Sequence, residues 1–190
     1  MKTIGIVFPK DSEAVFNRHC RETFGGATVQ LYLIAKELSN FPQFKVVSLI
    51  NQFRQIDFDD AGKFNLVQTY HPDDGALVKI SKFHRRLRQV KPDILIQRGL
   101  SPFSCFLALY CRIFGIKFIF MFAHDREAQG RYQGSNRPCK YFNLLLEHSR
   151  LLIVQSEDQL KLLNGKHQSK YRLLFSGNEI KPLNDFSNYS

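Results

Sequence analysis

The sequence predicts an α/β sandwich, a mostly parallel sheet with helices on both faces. Three observations carry this. Short apolar runs alternate with stretches of helical period along most of the chain, and such alternation builds a parallel sheet from strand–helix–strand units. The strand-like runs are almost continuously apolar, as a sheet covered on both faces requires. The chain has 190 residues, 44% hydrophobic and 23% charged, which suits one globular domain able to fill a core without metal or disulfide help. That balance excludes a disordered chain, a collagen-like chain and a coiled coil.

The elements follow in order. Thr3 to Phe8 (TIGIVF) is a buried strand that Pro9 ends. Gly25 to Ser39 is a helix, with Leu31, Ile34, Ala35 and Leu38 on one face of a 3.6-residue period, stopped by Asn40 and Pro42. Phe44 to Ile50 is the next strand, residues 51 to 63 are polar and irregular, and Phe64 to Tyr70 is a candidate third strand. Leu77, Ile80, Phe83, Leu87 and Val90 mark a second amphipathic helix, which ends before Pro92 because the residue preceding proline avoids the helical region. Asp93 to Gln97 is a strand, Pro102 to Phe114 a nearly all-apolar helix that Gly115 can terminate, and Ile116 to Ala123 a strand. Pro138 to His148 reads as helical and Leu151 to Val154 as a strand. Ser156 with Gln159 has the capping-box spacing that opens a helix. Tyr171 to Phe175 is the last strand. A Rossmann-like domain over 1–176 is thus expected, followed by a polar, linker-like tail over 177–190.

Charge and cysteines narrow the environment. Lys plus Arg is 27 against 17 Asp plus Glu, a net charge of +10, which attracts nucleic acid, anionic membrane or phosphorylated ligands. Lys79, Lys82, Arg85, Arg86, Arg88 and Lys91 fall in one stretch without an acidic residue. This helix is therefore a candidate membrane-surface element, carried by Lys79, Lys82, Arg85, Arg86 and Arg88, and equally an ordinary sheet cover with a solvated outer face. No nucleic-acid partner is expected, because no RNP, KH or helix-turn-helix pattern appears. Cys20, Cys105, Cys111 and Cys139 have no CxxC or disulfide-scaffold spacing, which points to a reducing compartment. No secretory signal is visible. Pro102 to Ala123 is interrupted by Arg112, Gly115 and Lys117, and a span needs about 20 mostly apolar residues.

In parallel α/β sheets ligands bind beyond the carboxyl ends of the strands. That directs attention to residues 9–28, 71–76, 98–101, 124–137 and 155–157. Gly25, Gly26 and Thr28 open a helix whose first turn holds no acid. They either cradle a phosphate on its free N–H groups or merely shape a turn. His124 and Asp125 follow the strongest strand, where they can bond a sugar hydroxyl or phosphate. The next loop adds Arg126, Arg131 and Arg137 and looks mobile and anion-friendly. Arg98 can reach a ligand or remain a solvated loop residue. There is no GxGxxG, GxxxxGK[ST] or GxSxG, no metal spacing among the histidines and no paired-carboxylate motif. Metal and covalent mechanisms are therefore without support.

Five segments in order carry a resemblance. Gly25-Gly26 leads into Val29 to Leu38 (VQLYLIAKEL), Lys91 to Ile96 reads KPDILI, and a strand ends in His124-Asp125. Leu151 to Ser156 reads LLIVQS, and Phe175 to Ile180 reads FSGNEI. Together they resemble the N-terminal domain of GT-B glycosyltransferases of the group 1 (family 4) type. The chain departs from that pattern at Ser176-Gly177-Asn178, where the family has a tidier N-G-I-D linker. It also ends where the family's second, nucleotide-sugar domain with its paired-glutamate motif should begin.

The resemblance implies one half of a GT-B architecture. This would be the acceptor-binding half of a nucleotide-sugar-dependent, retaining glycosyltransferase of polysaccharide, glycolipid or cell-envelope glycan synthesis, a hexosyl-transfer enzyme only as the full two-domain protein. It implies a nucleotide-sugar donor as co-substrate and no cofactor on this chain. The implied partners are a C-terminal donor-binding domain, in cis or as a separate subunit, a sugar or glycolipid acceptor and an anionic membrane surface. The implied location is cytoplasmic, at the inner face of the membrane. The resemblance also puts His124 beside the transferred sugar and the glycine loop near donor phosphates or acceptor. The alternative is a stand-alone α/β binding protein for a phosphorylated ligand, without catalysis.

Overall fold

The structure is a computed structural model, and it describes residues 1–21, 25–53, 56–57, 64–132, 137–163 and 167–174. Seven strands form one sheet: β1 (Lys2–Val7), β2 (Phe44–Ile50), β3 (Asn65–Gln68), β4 (Ile94–Arg98), β5 (Lys117–Met121), β6 (Leu151–Val154) and β7 (Tyr171–Leu173). Their order is β3-β2-β1-β4-β5-β6-β7 and every pairing is parallel. The helices are α1 (Glu13–Phe16), α2 (Gly26–Ser39), α3 (Ala76–Val90), α4 (Pro102–Ile113), α5 (Asp125–Ala128), α6 (Phe142–His148) and α7 (Glu157–Leu162). This is a Rossmann-like α/β fold, as the sequence predicts.

Crossover handedness distributes the helices. Right-handed connections put the helix of a leftward step on one face and those of rightward steps on the other. Two cores follow. Phe83 and Leu87 of α3, Leu107 and Ala108 of α4, and Leu145 of α6 pack with Leu95, Phe118, Phe120 and Leu152 of the sheet. On the opposite face Leu31 and Ala35 of α2 pack with Ile4, Ile6, Val46 and Ile50. Gly5 allows close packing in β1, since a Cβ there would lie 2.9 Å from Leu95 Cδ1.

Several expected details change. The helix expected from Pro138 begins only at Phe142. Pro138 instead bridges Arg131, and the Cys139 N–H donates to the Gly130 carbonyl at 2.7 Å, which holds this stretch extended. Ser156 does cap α7, accepting from Gln159 N–H at 3.1 Å. Gln159 does not return the bond to Ser156, because its Oε1 accepts from Gln155 N–H at 2.9 Å. The reciprocal capping box opens α4, where Ser101 and Ser104 satisfy each other's backbone and Pro102 fills the first turn. Leu77 falls off the apolar stripe of α3 and is 83% exposed. Lys91 closes α3 in the left-handed conformation, φ +49°. Phe175 and the expected tail over 177–190 lie outside the described residues.

Candidate functional site

The strand order reverses between β1 and β4, and it is beyond the carboxyl ends of strands at such a reversal that open α/β sheets hold their ligands. Arg98, read as a loop residue, is instead the last residue of β4, opposite Met121 of β5, and only 5% exposed. Its Nε and Nη1 are buried without a hydrogen-bond partner. Burial pulls its pKa well below the ordinary arginine value, to about 10, a shift the nearby Glu127 charge partly resists. Gly99 then turns the chain at φ +87°, a conformation that favours glycine.

Glu127 of α5 joins these residues without having been expected from the sequence. It is fully buried. Its Oε2 accepts from the Ala123 N–H at 2.8 Å, while Oε1 is buried and unpartnered. Burial raises the carboxyl above its usual value. The backbone groups of Ala123 and Leu100 and the charges of His124 and Arg98 oppose that rise. This carboxyl therefore ties together the chain segments leaving β4 and β5. A readable signal existed: an acid three residues after a strand-end histidine sits one helical turn away and can point back beneath it.

His124 is the N-cap of α5, and its carbonyl accepts from Glu127 N–H at 3.0 Å. His124 and Asp125 are both exposed. The structure thus brings Arg98, Glu127 and His124 to adjacent strand ends. The stretch read as a loop from 124 contains the helical turn α5, which leaves Arg126, Arg131 and Arg137 on the surface.

The glycine turn lies beyond β1. Gly25 is the N-cap of α2, and Gly26 has nothing within 4 Å of a Cβ position. The expectation that this positive helix end is not neutralised by an acid needs correcting. Asp11 reaches it from the turn after β1: its Oδ2 accepts from Gly25 N–H at 3.1 Å and its Oδ1 from the Thr28 hydroxyl at 3.2 Å. Thr28 is buried in this contact. The site accommodates an anion, and in this structure the anion is the protein's own carboxylate.

On α3, Lys82 Nζ pairs with Asp74 at 2.8 Å, Lys79 lies 5.8 Å from the centre of the Tyr70 ring, and Arg86 donates to Gln89 at 3.0 Å. Arg85 and Arg88 stand exposed. Among the described residues no group of three His, Cys, Asp or Glu could hold a metal. No helix among them is long and apolar enough to cross a membrane.

The strand order is that of a Rossmann-like domain of the kind found in GT-B folds, and solved structures share it. Three are a UDP-GlcNAc 2-epimerase from Neisseria meningitidis bound to UDP-GlcNAc (14% identity, TM-score 0.58), the UDP-GlcNAc 2-epimerase from Methanocaldococcus jannaschii (17%, 0.56) and S. aureus MnaA with UDP (15%, 0.59). Each covers 91% of this chain, which in turn covers 45%, 45% and 43% of theirs. The chain thus spans less than half the length of these structures. At such identity the likeness is one of fold. No family model matches the sequence, and no curated protein matches it.

Proposed function

We propose that this chain is the acceptor-binding half of a nucleotide-sugar-dependent glycosyltransferase. The observation that carries the reading is Arg98, whose Nε and Nη1 are buried without a hydrogen-bond partner, beside Glu127 at the carboxyl ends of β4 and β5. A cation held dry in a crevice stabilises developing negative charge far better than one in water. In glycosyl transfer that charge appears on the departing nucleotide phosphate. His124, exposed at the next strand end, would hydrogen-bond the transferred sugar or the acceptor hydroxyl. Asp125, Gly25, Gly26 and Thr28 would complete the acceptor or phosphate contacts, with a ligand anion taking the place of Asp11. Support comes also from the sequence resemblance and from structures of this fold that hold UDP or UDP-GlcNAc. The donor-binding half would come from a second domain, in cis or as a separate subunit, with a sugar or glycolipid acceptor and hexosyl transfer as the reaction. The exposed Arg85 and Arg88 would draw the enzyme to the cytoplasmic face of an anionic membrane.

The test is sugar-transfer turnover measured on the purified 190-residue chain and on the chain joined to a donor-binding domain. Turnover is expected only in the joined protein. Clear transfer by the chain alone would overturn the division of labour. Tight binding of a sugar phosphate by the chain, with no transfer in any joined form, would favour the stand-alone binding protein.

A further inference from the structure

Cys105 and Cys139 stand side by side although 34 positions separate them in the chain. Their sulfurs lie 3.3 Å apart, and both are free thiols. Cys105 lies in the first half of α4 and shares the core with Leu107 and Ala108. Cys139 lies in the extended stretch between α5 and α6. Its N–H donates to the Gly130 carbonyl, and the neighbouring Pro138 bridges Arg131. One sulfur is therefore fixed on a helix, and the other is held by a short bridge outside any helix or long strand. Burial and the Cys139 sulfur push the Cys105 thiol well above its ordinary range. Burial and a hydrogen bond to Cys139 do the same to the Tyr132 hydroxyl. Both neighbours keep their protons and donate them toward Cys139, so Cys139 is the sulfur whose thiolate they stabilise.

We infer that Cys105 and Cys139 are a redox pair, which closes to a disulfide when a small disulfide oxidant such as oxidised glutathione is in excess. The Cys139 thiolate attacks one sulfur of the oxidant. A bond forms to Cys139, the oxidant's own S–S bond breaks, and the departing small thiolate takes up the proton that Cys139 lost. The Cys105 thiolate then attacks the Cys139 sulfur, closes the Cys105–Cys139 bond and expels the second small thiolate, which takes up the Cys105 proton. Two cysteine thiols are oxidised and one small disulfide is reduced to two thiols. Because a disulfide bond is about 2.05 Å long, the two sulfurs need only a small approach to form it. Each cysteine is 6% exposed. The oxidant therefore enters when the stretch around Cys139 opens locally, and exchange is slow beside that of an exposed thiol. Once closed, the bond ties α4, which follows Arg98 and Leu100, to the chain that follows α5. It adds a covalent staple to the segments that the Glu127 carboxyl already joins. The inference does not rest on the nucleotide-sugar reading.

The experiment incubates the folded 190-residue chain, carrying Cys20→Ser to remove the more exposed thiol, in glutathione buffers from fully reduced to mainly oxidised. Peptide mapping without reductant should show one cross-linked pair that joins Cys105 to Cys139, with Cys111 still a thiol. Closing a loop of this length should raise Tm by about 5–10 °C, and dithiothreitol should reverse the rise. The order of attack is read from single variants. Cys105→Ser should trap glutathione on Cys139 as a stable mixed disulfide, while Cys139→Ser should leave Cys105 modified about tenfold more slowly. Circular dichroism checks each fold, and alanine replaces serine where a buried hydroxyl unfolds the chain. The unsubstituted pair decides the main claim whatever the variants do. No Cys105–Cys139 peptide from folded protein in the mainly oxidised buffer overturns the inference. So do cross-links to Cys111 in equal amount, or a bond that forms only in denaturant. A bond that leaves Tm unchanged overturns the staple, and glutathione trapped on Cys105 instead of Cys139 overturns the order of attack. Because no sugar enters the assay, its failure is separate from any failure of transferase activity.

Discussion

Arg98 is held where burial disfavours its charge. A base whose folded pKa, about 10, lies well below its ordinary value binds fewer protons when folded, so its cost is fully present below pH 10 and is relieved as pH rises above it. At about 1.4 kcal/mol per pH unit the cost at neutral pH is on the order of 3 kcal/mol. Arg98→Met removes a buried unpaired charge for an apolar chain of similar length. It should raise stability by about 1–3 kcal/mol, or a few degrees in Tm, while abolishing activity in the joined enzyme. A fall in Tm would make Arg98 a structural member of a pair with Glu127. His124 presents the opposite case. It is exposed, and its backbone makes the only hydrogen bond described for it. His124→Ala should therefore stay within about 0.5 kcal/mol in stability, yet lower transfer in the joined enzyme by about one to three orders of magnitude. Melting and rate measured on the same variant check both halves, and full retained activity would make His124 a bystander. At this scale the sequence was only half legible. The strand-end position marked His124 and Arg98, but nothing local tells a solvated arginine from a buried one. Glu127 is buried because the chain leaving β5 folds into one turn of helix against Gly99 and Leu100, a contact between segments distant in sequence.

Among the elements, α3 separates net charge from available charge. Lys82 is taken by Asp74, whose carboxyl it holds below its usual range. Lys79 lies over Tyr70 and Arg86 bonds Gln89. An anionic surface would then meet Arg85 and Arg88 on α3 and Lys91 at its end. Each basic side chain near such a surface is worth about 1 kcal/mol, screened by salt. Arg85→Glu with Arg88→Glu should lower co-sedimentation with anionic liposomes by about tenfold or more at low salt, and Lys82→Glu with Arg86→Glu by clearly less. Equal losses would mean that net charge alone matters, and binding insensitive to salt would remove the electrostatic reading. The long elements were legible because apolar period is a local signal: α2 and α4 and all seven strands fall within a few residues of expectation. The Gly130 carbonyl holds Cys139 extended where helix was expected, a tertiary contact overriding propensity. Leu77, in the first turn of α3, stands 83% exposed off the stripe.

At the scale of the whole molecule the strand order does the positioning. Right-handed crossovers send β1, β2 and β3 one way and β4 through β7 the other, so the chain segments leaving β1 and β4 part and leave a crevice between them. Asp11, Gly25 and Thr28 follow β1, Arg98 and Gly99 end β4, and His124 and Glu127 follow β5. Residues far apart in sequence thereby share one rim, and alternation of strand and helix was enough to anticipate this. A ligand seated in the crevice should slow amide exchange in several separated segments together, because each contributes N–H groups to the same rim. Hydrogen–deuterium exchange on the joined enzyme with a nucleotide-sugar donor and its acceptor should show protection at residues 9–12, 25–28, 98–101 and 123–128. The amides of β2 and β3, remote from the switch between β1 and β4, should exchange as before. Protection confined to 25–28 would mean that the glycine turn binds alone and the Arg98–Glu127 pair is structural. Protection confined to 98–101 and 123–128 would mean that Asp11 keeps its place at the start of α2, and that the ligand uses the β4 and β5 ends without displacing it.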